Sequence, residues 1–121
     1  MFASLPEITV EELATLLKEE GDSLWDRETN RQFVDVREPQ ELELAQLEGF
    51  VNLPLSQHGD WSTDIHSRLD ANKETLVLCH HGMRSAQMCQ WLISQGFANV
   101  KNVMGGIDAY ACVVDASVPR Y

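Results

Sequence analysis

Residues 76–92, LVLCHHGMRSAQMCQWL, carry the clearest structural pattern in the sequence. The three leading aliphatic residues form a short buried-strand pattern that runs directly into Cys79. A glycine-containing turn follows, and apolar residues then recur at helical spacing as far as Leu92. This order predicts a strand, a tight loop and a helix, with a cysteine at the carboxyl end of the strand. Ligands of open α/β sheets bind at that edge, so Cys79 is the first candidate functional residue.

Similar patterns flank this unit on both sides. Strands are predicted at residues 33–36, 50–53, 76–78 and 100–104, with a short edge strand around Ile8. The first helix is predicted to run from a Thr9–Glu12 capping box to Gly21, and a short second helix is predicted to start at Glu38-Pro39. A third is predicted across Trp61, Ile65 and Leu69. A fourth is predicted from Ser85 to Gly96, with Ala86, Cys89, Leu92 and Ile93 on its apolar face. Residues 22–32 are predicted to form a polar loop anchored by Trp25. The alternation predicts a three-layer α/β domain, with a parallel sheet between helices.

Length and charge limit the classes of protein to consider. The chain has 121 residues, which suits a single domain over residues 1–121. Its formal net charge of -10 disfavours binding to nucleic acid or to anionic membranes, which reward basic patches. The sequence has no apolar run of about 20 residues and no signal-peptide pattern at its start. We therefore expect a cytoplasmic protein, with a monomer as the default state.

The three cysteines fit neither a disulfide framework nor a common zinc pattern. Cys79, Cys89 and Cys112 are an odd and low number for a chain of this size. His80 and His81 are adjacent, so their side chains diverge and make a poor chelating pair. We expect no bound metal, a core position for Cys89, and no assignable role for Cys112.

The residues after Cys79 favour negative charge at its sulfur. Gly82 allows a sharp turn, so that successive backbone N–H groups can form an anion-binding cup. Ser85 is a favoured N-cap residue, and a helix that begins there adds partial positive charge. His80, His81 and Arg84 supply further donors or full charge. These features favour the thiolate and predict that Cys79 is an activated nucleophile facing an anion site.

At this loop the chain resembles the rhodanese homology domain, in its single-domain sulfurtransferase type. The resemblance covers nearly the whole chain and rests on the order and spacing of several short motifs. These are Asp35-Val36-Arg37-Glu38, Gly49-Phe50-Val51-Asn52-Leu53-Pro54, the loop from Cys79 to Ser85, Val103-Met104-Gly105-Gly106-Ile107 and the ending Pro119-Arg120-Tyr121.

The resemblance implies a five-stranded parallel sheet of order 1-5-4-2-3 and a persulfide carried on Cys79, with no other cofactor. A small anionic donor such as thiosulfate would supply the sulfur, and cyanide, a thiol or a protein would accept it. Backbone N–H groups of the loop formed by His80, His81, Gly82, Met83, Arg84 and Ser85 would stabilise the thiolate and the persulfide. Arg84 would contact the anionic end of the donor. Ser85 would cap the helix, hydrogen-bond the sulfur, or do both, and Asp35 and Arg37 would brace the loop.

Two other functions remain open from the sequence. Phosphatases and arsenate reductases of the same fold also use a loop cysteine, but such phosphatases place five residues between the cysteine and the arginine. Four residues stand between Cys79 and Arg84, which suits a smaller group, and none of them is acidic. The other alternative is a non-enzymatic module that only binds a partner, although many such modules lack the cysteine.

Overall fold

A computed structural model describes residues 5–21 and 30–121, so the predicted anchor Trp25 lies outside the described residues. Five parallel strands form one sheet in the order β1-β5-β4-β2-β3, as the resemblance implied. The strands are β1 (Glu7–Ile8), β2 (Arg31–Asp35), β3 (Phe50–Asn52), β4 (Glu74–Leu78) and β5 (Val100–Val103).

Helices connect these strands. They are α1 (Val10–Glu20), α2 (Pro39–Leu44), α3 (His58–Trp61), α4 (Ile65–Arg68), α5 (Met83–Ser94) and α6 (Gly106–Val113), with single 3₁₀ turns at Leu55–Gln57 and Ser62–Asp64. No helix in the described part of the chain has the length and apolar character needed to cross a membrane.

Local sequence signals set the first two helices. The Thr9 hydroxyl accepts from the Glu12 N–H at 3.1 Å, and the Glu12 carboxylate accepts from the Thr9 N–H at 3.0 Å. This reciprocal pair is the predicted capping box, and it satisfies two N–H groups that a helix start leaves without partners. Pro39 occupies the first position of α2, where its missing N–H is harmless.

The sheet is covered on both faces, which confirms the three-layer prediction. Side chains alternate along β4, so that Leu76 and Leu78 pack in one cluster with Leu13 of α1 and Ile107 of α6. Val77 points to the opposite cluster, whose other members include side chains from α3, α4 and α5. Both clusters consist of fully or almost fully buried residues. The hydrophobic effect therefore holds helices on each face of a rigid sheet.

Several local predictions are wrong. Arg31 and Gln32, which were predicted to end a polar loop, are the first two residues of β2. Trp61, Ile65 and Leu69 are buried as expected, but they lie on two short helices separated by a 3₁₀ turn rather than on one helix. Ile93 is exposed, and Met88 takes its place on the buried face of α5. Ser85 is not the N-cap of α5, because the helix already begins at Met83 after a left-handed Gly82.

The register of the sheet brings distant segments together at its carboxyl edge. Asp35 pairs with Leu78 across β2 and β4, and the Val36 N–H extends this ladder by donating to the Leu78 carbonyl at 3.0 Å. The residues that follow β2, β4 and β5 therefore meet at one edge. This edge carries Cys79.

Candidate active site

Cys79 lies at the floor of the site, directly after β4, and is 1% exposed. Its sulfur accepts a hydrogen bond from the Gly82 N–H at 2.9 Å. The Ser85 hydroxyl lies 3.2 Å from the same sulfur. One N–H donor and one hydroxyl group thus lie within hydrogen-bonding distance of the same sulfur atom.

The start of α6 fixes the backbone of the loop. The N–H of Ile107 donates to the Cys79 carbonyl at 2.9 Å, and the N–H of Asp108 donates to the His80 carbonyl at 3.1 Å. These two amides belong to the first turn of α6, which has no other backbone acceptors for them. The Cys79 and His80 carbonyl groups of the loop therefore accept hydrogen bonds from α6.

Gly106 allows this close approach. Its φ of +62° lies in the left-handed region, and a Cβ placed there would collide with the carbonyl oxygens of Cys79 and His80. A glycine is therefore required where α6 meets the loop. The Gly105-Gly106 turn noted in the sequence thus has a structural reason.

Asn102 on β5 supports the loop and was missed in the sequence analysis. It is 3% exposed, its amide nitrogen donates to the Gly82 carbonyl at 3.0 Å, and its Oδ1 contacts the Ser85 hydroxyl. A polar Asn in the middle of a central strand is unfavourable unless it has hydrogen-bond partners. The sequence therefore indicated that Asn102 makes buried hydrogen bonds. The partners themselves lie 20 and 17 residues away in the sequence.

Arg84 forms a two-pronged ion pair with Glu41 of α2, a second residue that sequence reasoning missed. The distances are 2.7 Å from Nη1 to Oε2 and 2.9 Å from Nη2 to Oε1. The Arg84 hydrogen bonds hold the pKa of the Glu41 carboxyl at about 2, well below its usual value. The Arg84 guanidinium thus binds a carboxylate in this structure. Its contact with the anionic end of a sulfur donor stays a prediction.

Asp35 and Arg37 form a buried ion pair beneath the site, with Nη2 and Oδ2 2.7 Å apart and almost no exposure of either side chain. Arg37 Nη1 also donates to the Tyr121 hydroxyl at 3.0 Å and to the Glu41 carbonyl at 3.3 Å. Tyr121 in turn stacks on His80, with ring centroids 4.0 Å apart. This ion pair is therefore connected to the loop through Glu41 and Tyr121.

His80 is less basic than the sequence suggested. Burial and the neighbouring His81 charge lower its pKa from the usual value, and its Nε2 is buried without a partner among the described residues. The ring therefore adds no full positive charge at neutral pH.

A pocket of about 130 Å³ opens above the sulfur. It is lined by Cys79, His80, His81, Met83 and Arg84, and Met83 at its rim is 79% exposed. A larger open depression of about 600 Å³ lies elsewhere, along residues 66–73, and contains no cysteine. The small pocket therefore offers access to the sulfur of Cys79.

The other cysteines and histidines lie outside this site. Cys89 is fully buried, as predicted, and burial raises the pKa of its thiol to about 12, while Cys112 is exposed. His58 is half-buried against Trp61 and Trp91, and His66 stacks on Phe97. No cluster of three or more metal-binding side chains occurs within residues 5–21 and 30–121.

Comparisons with known proteins identify relatives of this chain. Residues 9–111 match the model of the rhodanese-like domain. The chain is 53% identical over 90 residues to the Rhodanese-like/PpiC domain-containing protein 12, chloroplastic, of Arabidopsis thaliana, covering 74% of this chain and 30% of that protein. It is 32% identical over 99 residues to the adenylyltransferase and sulfurtransferase UBA4 of Candida glabrata, covering 76% and 23%.

The chain thus spans less than a third of the length of these two relatives. Among solved structures, the human single domain sulfurtransferase TSTD1 superposes with a TM-score of 0.68 at 19% identity, covering 91% of this chain and 98% of that one. This likeness concerns the fold. The family match extends from the capping box of α1 into α6 and includes the whole loop after Cys79. The chain belongs to the rhodanese-like domain family.

Proposed function

We propose that the protein is a sulfurtransferase that carries sulfur as a persulfide on Cys79. The observation that carries this proposal is the hydrogen bonding of the cysteine, whose sulfur faces the Gly82 N–H and the Ser85 hydroxyl at the floor of a small pocket. A relative that is named a sulfurtransferase supports the same reaction class.

In the first step the Cys79 thiolate attacks the outer sulfur of a donor, for which thiosulfate is the simplest model. A new S–S bond forms on Cys79, the donor's S–S bond breaks, and sulfite leaves with the bonding electron pair. Charge balances, because a thiolate and a dianion give a persulfide anion and a dianion. The Gly82 N–H and the Ser85 hydroxyl lie where they can hold the thiolate before attack.

In the second step a nucleophile attacks the outer sulfur of the persulfide. Cyanide leaves as thiocyanate, or a thiolate of a small molecule or protein leaves as a new persulfide, and the Cys79 thiolate is restored. No cofactor takes part in this scheme. The pocket of about 130 Å³ suits a small reacting group better than a bulky one.

Phosphate ester hydrolysis finds less support. An arginine that binds phosphate must present its guanidinium to the ligand, whereas Arg84 is engaged by Glu41 through two hydrogen bonds. The loop also has only four residues between Cys79 and Arg84. A partner-binding module without chemistry would not require a cysteine at this position. The expected cytoplasmic location and monomeric state stay predictions, and one relative is chloroplastic.

The proposal is tested by intact mass after incubation with thiosulfate. The wild type is expected to gain one sulfur atom, which cyanide or a thiol removes. Cys79→Ser is expected to gain none, whereas Cys112→Ser, which removes the exposed thiol, should gain sulfur like the wild type. A gain that persists in Cys79→Ser would contradict the assignment of the nucleophile.

A further inference from the structure

Arg84 lines the pocket of Cys79 and is paired with Glu41, and Arg120 is paired with Asp108 in the first turn of α6. Arg120 Nε lies 3.0 Å from one oxygen of Asp108, and His81 Nδ1 lies 3.9 Å from the other oxygen. Arg84 is the cation among the residues that line the pocket, and its charge is opposed by Glu41. The site therefore offers little net positive charge to a donor.

The Glu41 carboxylate is held in place from four directions. Besides the two contacts with Arg84, its Oε2 accepts from the Glu38 N–H at 2.9 Å and its Oε1 accepts from the Tyr121 hydroxyl at 2.9 Å. Its side chain is 18% exposed, against 37% for Arg84. If Arg84 turned to a donor, two charge-assisted hydrogen bonds would break and the Glu41 carboxylate, still held by Glu38 and Tyr121, would lose its cation.

We infer that Glu41 is a specificity-determining residue that disfavours doubly negative donors, so that the site favours sulfane-sulfur compounds with at most one negative charge. This inference rests on the proposed sulfurtransferase function. Glu41 acts by neutralising Arg84, an arginine that lines the same pocket as Cys79. The remaining attraction for a sulfur compound comes from neutral N–H and O–H groups of the protein. The strength of these hydrogen bonds depends less on the total charge of the sulfur compound.

The charge preference can be measured at Cys79 without any sulfur transfer. Iodoacetate and iodoacetamide alkylate thiolates by the same displacement and are similar in size, but only iodoacetate is charged. The ratio of their second-order rate constants reports the local potential at the cysteine. Cys112→Ser is the background for all variants, because Cys112 is exposed and Cys89 is buried.

Four proteins complete the charge cycle. Glu41→Gln leaves Arg84 unpaired and is expected to raise the iodoacetate-to-iodoacetamide ratio by roughly three- to tenfold. Arg84→Gln leaves Glu41 unpaired and should lower it by a similar factor, and the double variant should return it close to the background value. Glu43→Gln is the matched control, since this exposed residue of the same helix changes the net charge equally.

Two results would overturn the inference. One is an unchanged ratio in Glu41→Gln, and the other is an equal rise in Glu43→Gln, which would indicate net protein charge instead of the Arg84 pair. The shift in Glu41→Gln should also shrink at high salt, because ions screen charge. A Glu41→Gln variant that fails to fold is recognised by a changed rate constant for iodoacetamide. In that case Arg84→Gln tests the inference, because its iodoacetate-to-iodoacetamide ratio is expected to fall.

Sulfur donors extend the test to the reaction. Thiosulfate is a dianion, whereas methanethiosulfonate presents the same outer sulfur on a monoanion and releases methanesulfinate when Cys79 takes that sulfur. Glu41→Gln is expected to raise kcat/KM for thiosulfate more than for methanethiosulfonate. If neither donor loads Cys79 while the alkylation ratio shifts as expected, the proposed function fails and the charge selectivity stands. If both donors load it and no ratio changes, the selectivity fails and the function stands.

Discussion

At the scale of single residues, Ser85 links the sulfur of Cys79 to Asn102 of β5. Its Oγ lies 3.2 Å from the Cys79 sulfur and also contacts Asn102 Oδ1. A hydroxyl has one proton, so it can donate to only one of these acceptors at a time. With a thiol, the S–H can donate to Ser85 while Ser85 donates to Asn102. With a thiolate, the hydroxyl turns to the sulfur.

Replacing Ser85 by alanine should therefore slow the reaction of Cys79. We expect Ser85→Ala to lower the iodoacetamide rate constant at neutral pH by roughly tenfold, since a hydrogen bond to a charged group is worth roughly 1.5–3 kcal/mol. Ser94→Ala is the control, because Ser94 is an exposed residue at the end of the same helix. Equal rates for Ser85→Ala and the control would show that the hydroxyl does not stabilise the thiolate.

The Glu41 carboxyl makes a second prediction at this scale, on acid stability. Its pKa is about 2 in the folded protein against the usual value of 4.5 for a glutamate side chain, so the unfolded chain binds more protons between these values. Its contribution is therefore complete above pH 4.5 and is lost as the pH falls towards about 2.

Urea unfolding of the wild type and Glu41→Gln across this pH range measures that contribution. The free energy of unfolding should fall more steeply with acid in the wild type than in Glu41→Gln, so the two curves should converge near the lower pH. Parallel curves would mean that Glu41 titrates alike in both states.

At the scale of elements, helix α6 holds the reactive loop in place. Its first-turn amides bind the carbonyls of Cys79 and His80, and the backbone of Gly106 lies against both. The loop and the helix are therefore a single unit, although they come from different βα segments. The reactivity of Cys79 depends on a helix that begins 27 residues after it.

A methyl group on Gly106 should push helix α6 away from the reactive loop. Gly106→Ala is expected to lower the free energy of unfolding by about 2 kcal/mol or more, from left-handed strain together with the collision, and to reduce persulfide loading on Cys79. Gly59→Ala is the matched control, because a Cβ there meets nothing within 4 Å and Gly59 lies on α3. Similar stability and loading in both variants would contradict the close contact.

At the scale of the whole molecule, the buried pair of Asp35 and Arg37 joins β2 to the far end of the chain. Arg37 and Tyr121 are 84 residues apart in sequence and 3.0 Å apart through Nη1 and the hydroxyl. Asn52 of β3 adds two bonds to the same segment, donating to the carbonyls of Asp35 and Arg37. A fully buried guanidinium needs this pairing, because an unpaired buried charge is strongly unfavourable.

The substitution Asp35→Asn should therefore strongly destabilise the folded protein. We expect a loss of about 3–5 kcal/mol in the free energy of unfolding, since Arg37 would keep its charge without a carboxylate. Asp64→Asn removes an exposed partner of Arg68 and should change stability by less than about 1 kcal/mol. Urea denaturation of both variants measures the difference. Comparable losses would mean that the buried pair contributes no more than a surface pair.

Much of the fold could be predicted from local patterns in the sequence. The capping box of α1, the buried run of β4 and the position of Cys79 at a strand end are all as expected. Errors arose where two signals competed. Ser85 has the chemistry of an N-cap, but Gly82 adopts the left-handed conformation first and starts the helix three residues earlier. The serine thereby faces the sulfur from within the first turn.

The order of strand, cysteine, loop and helix follows from local sequence alone, because hydrophobic periodicity and glycine freedom act between neighbours in the chain. The groups that surround the sulfur, in contrast, depend on how distant segments pack together. Glu41 meets Arg84 across 43 residues, and Asn102 meets Ser85 across 17. Such pairs form where parallel strands align their carboxyl ends, and the strand order that places them there depends on the packing of the whole sheet.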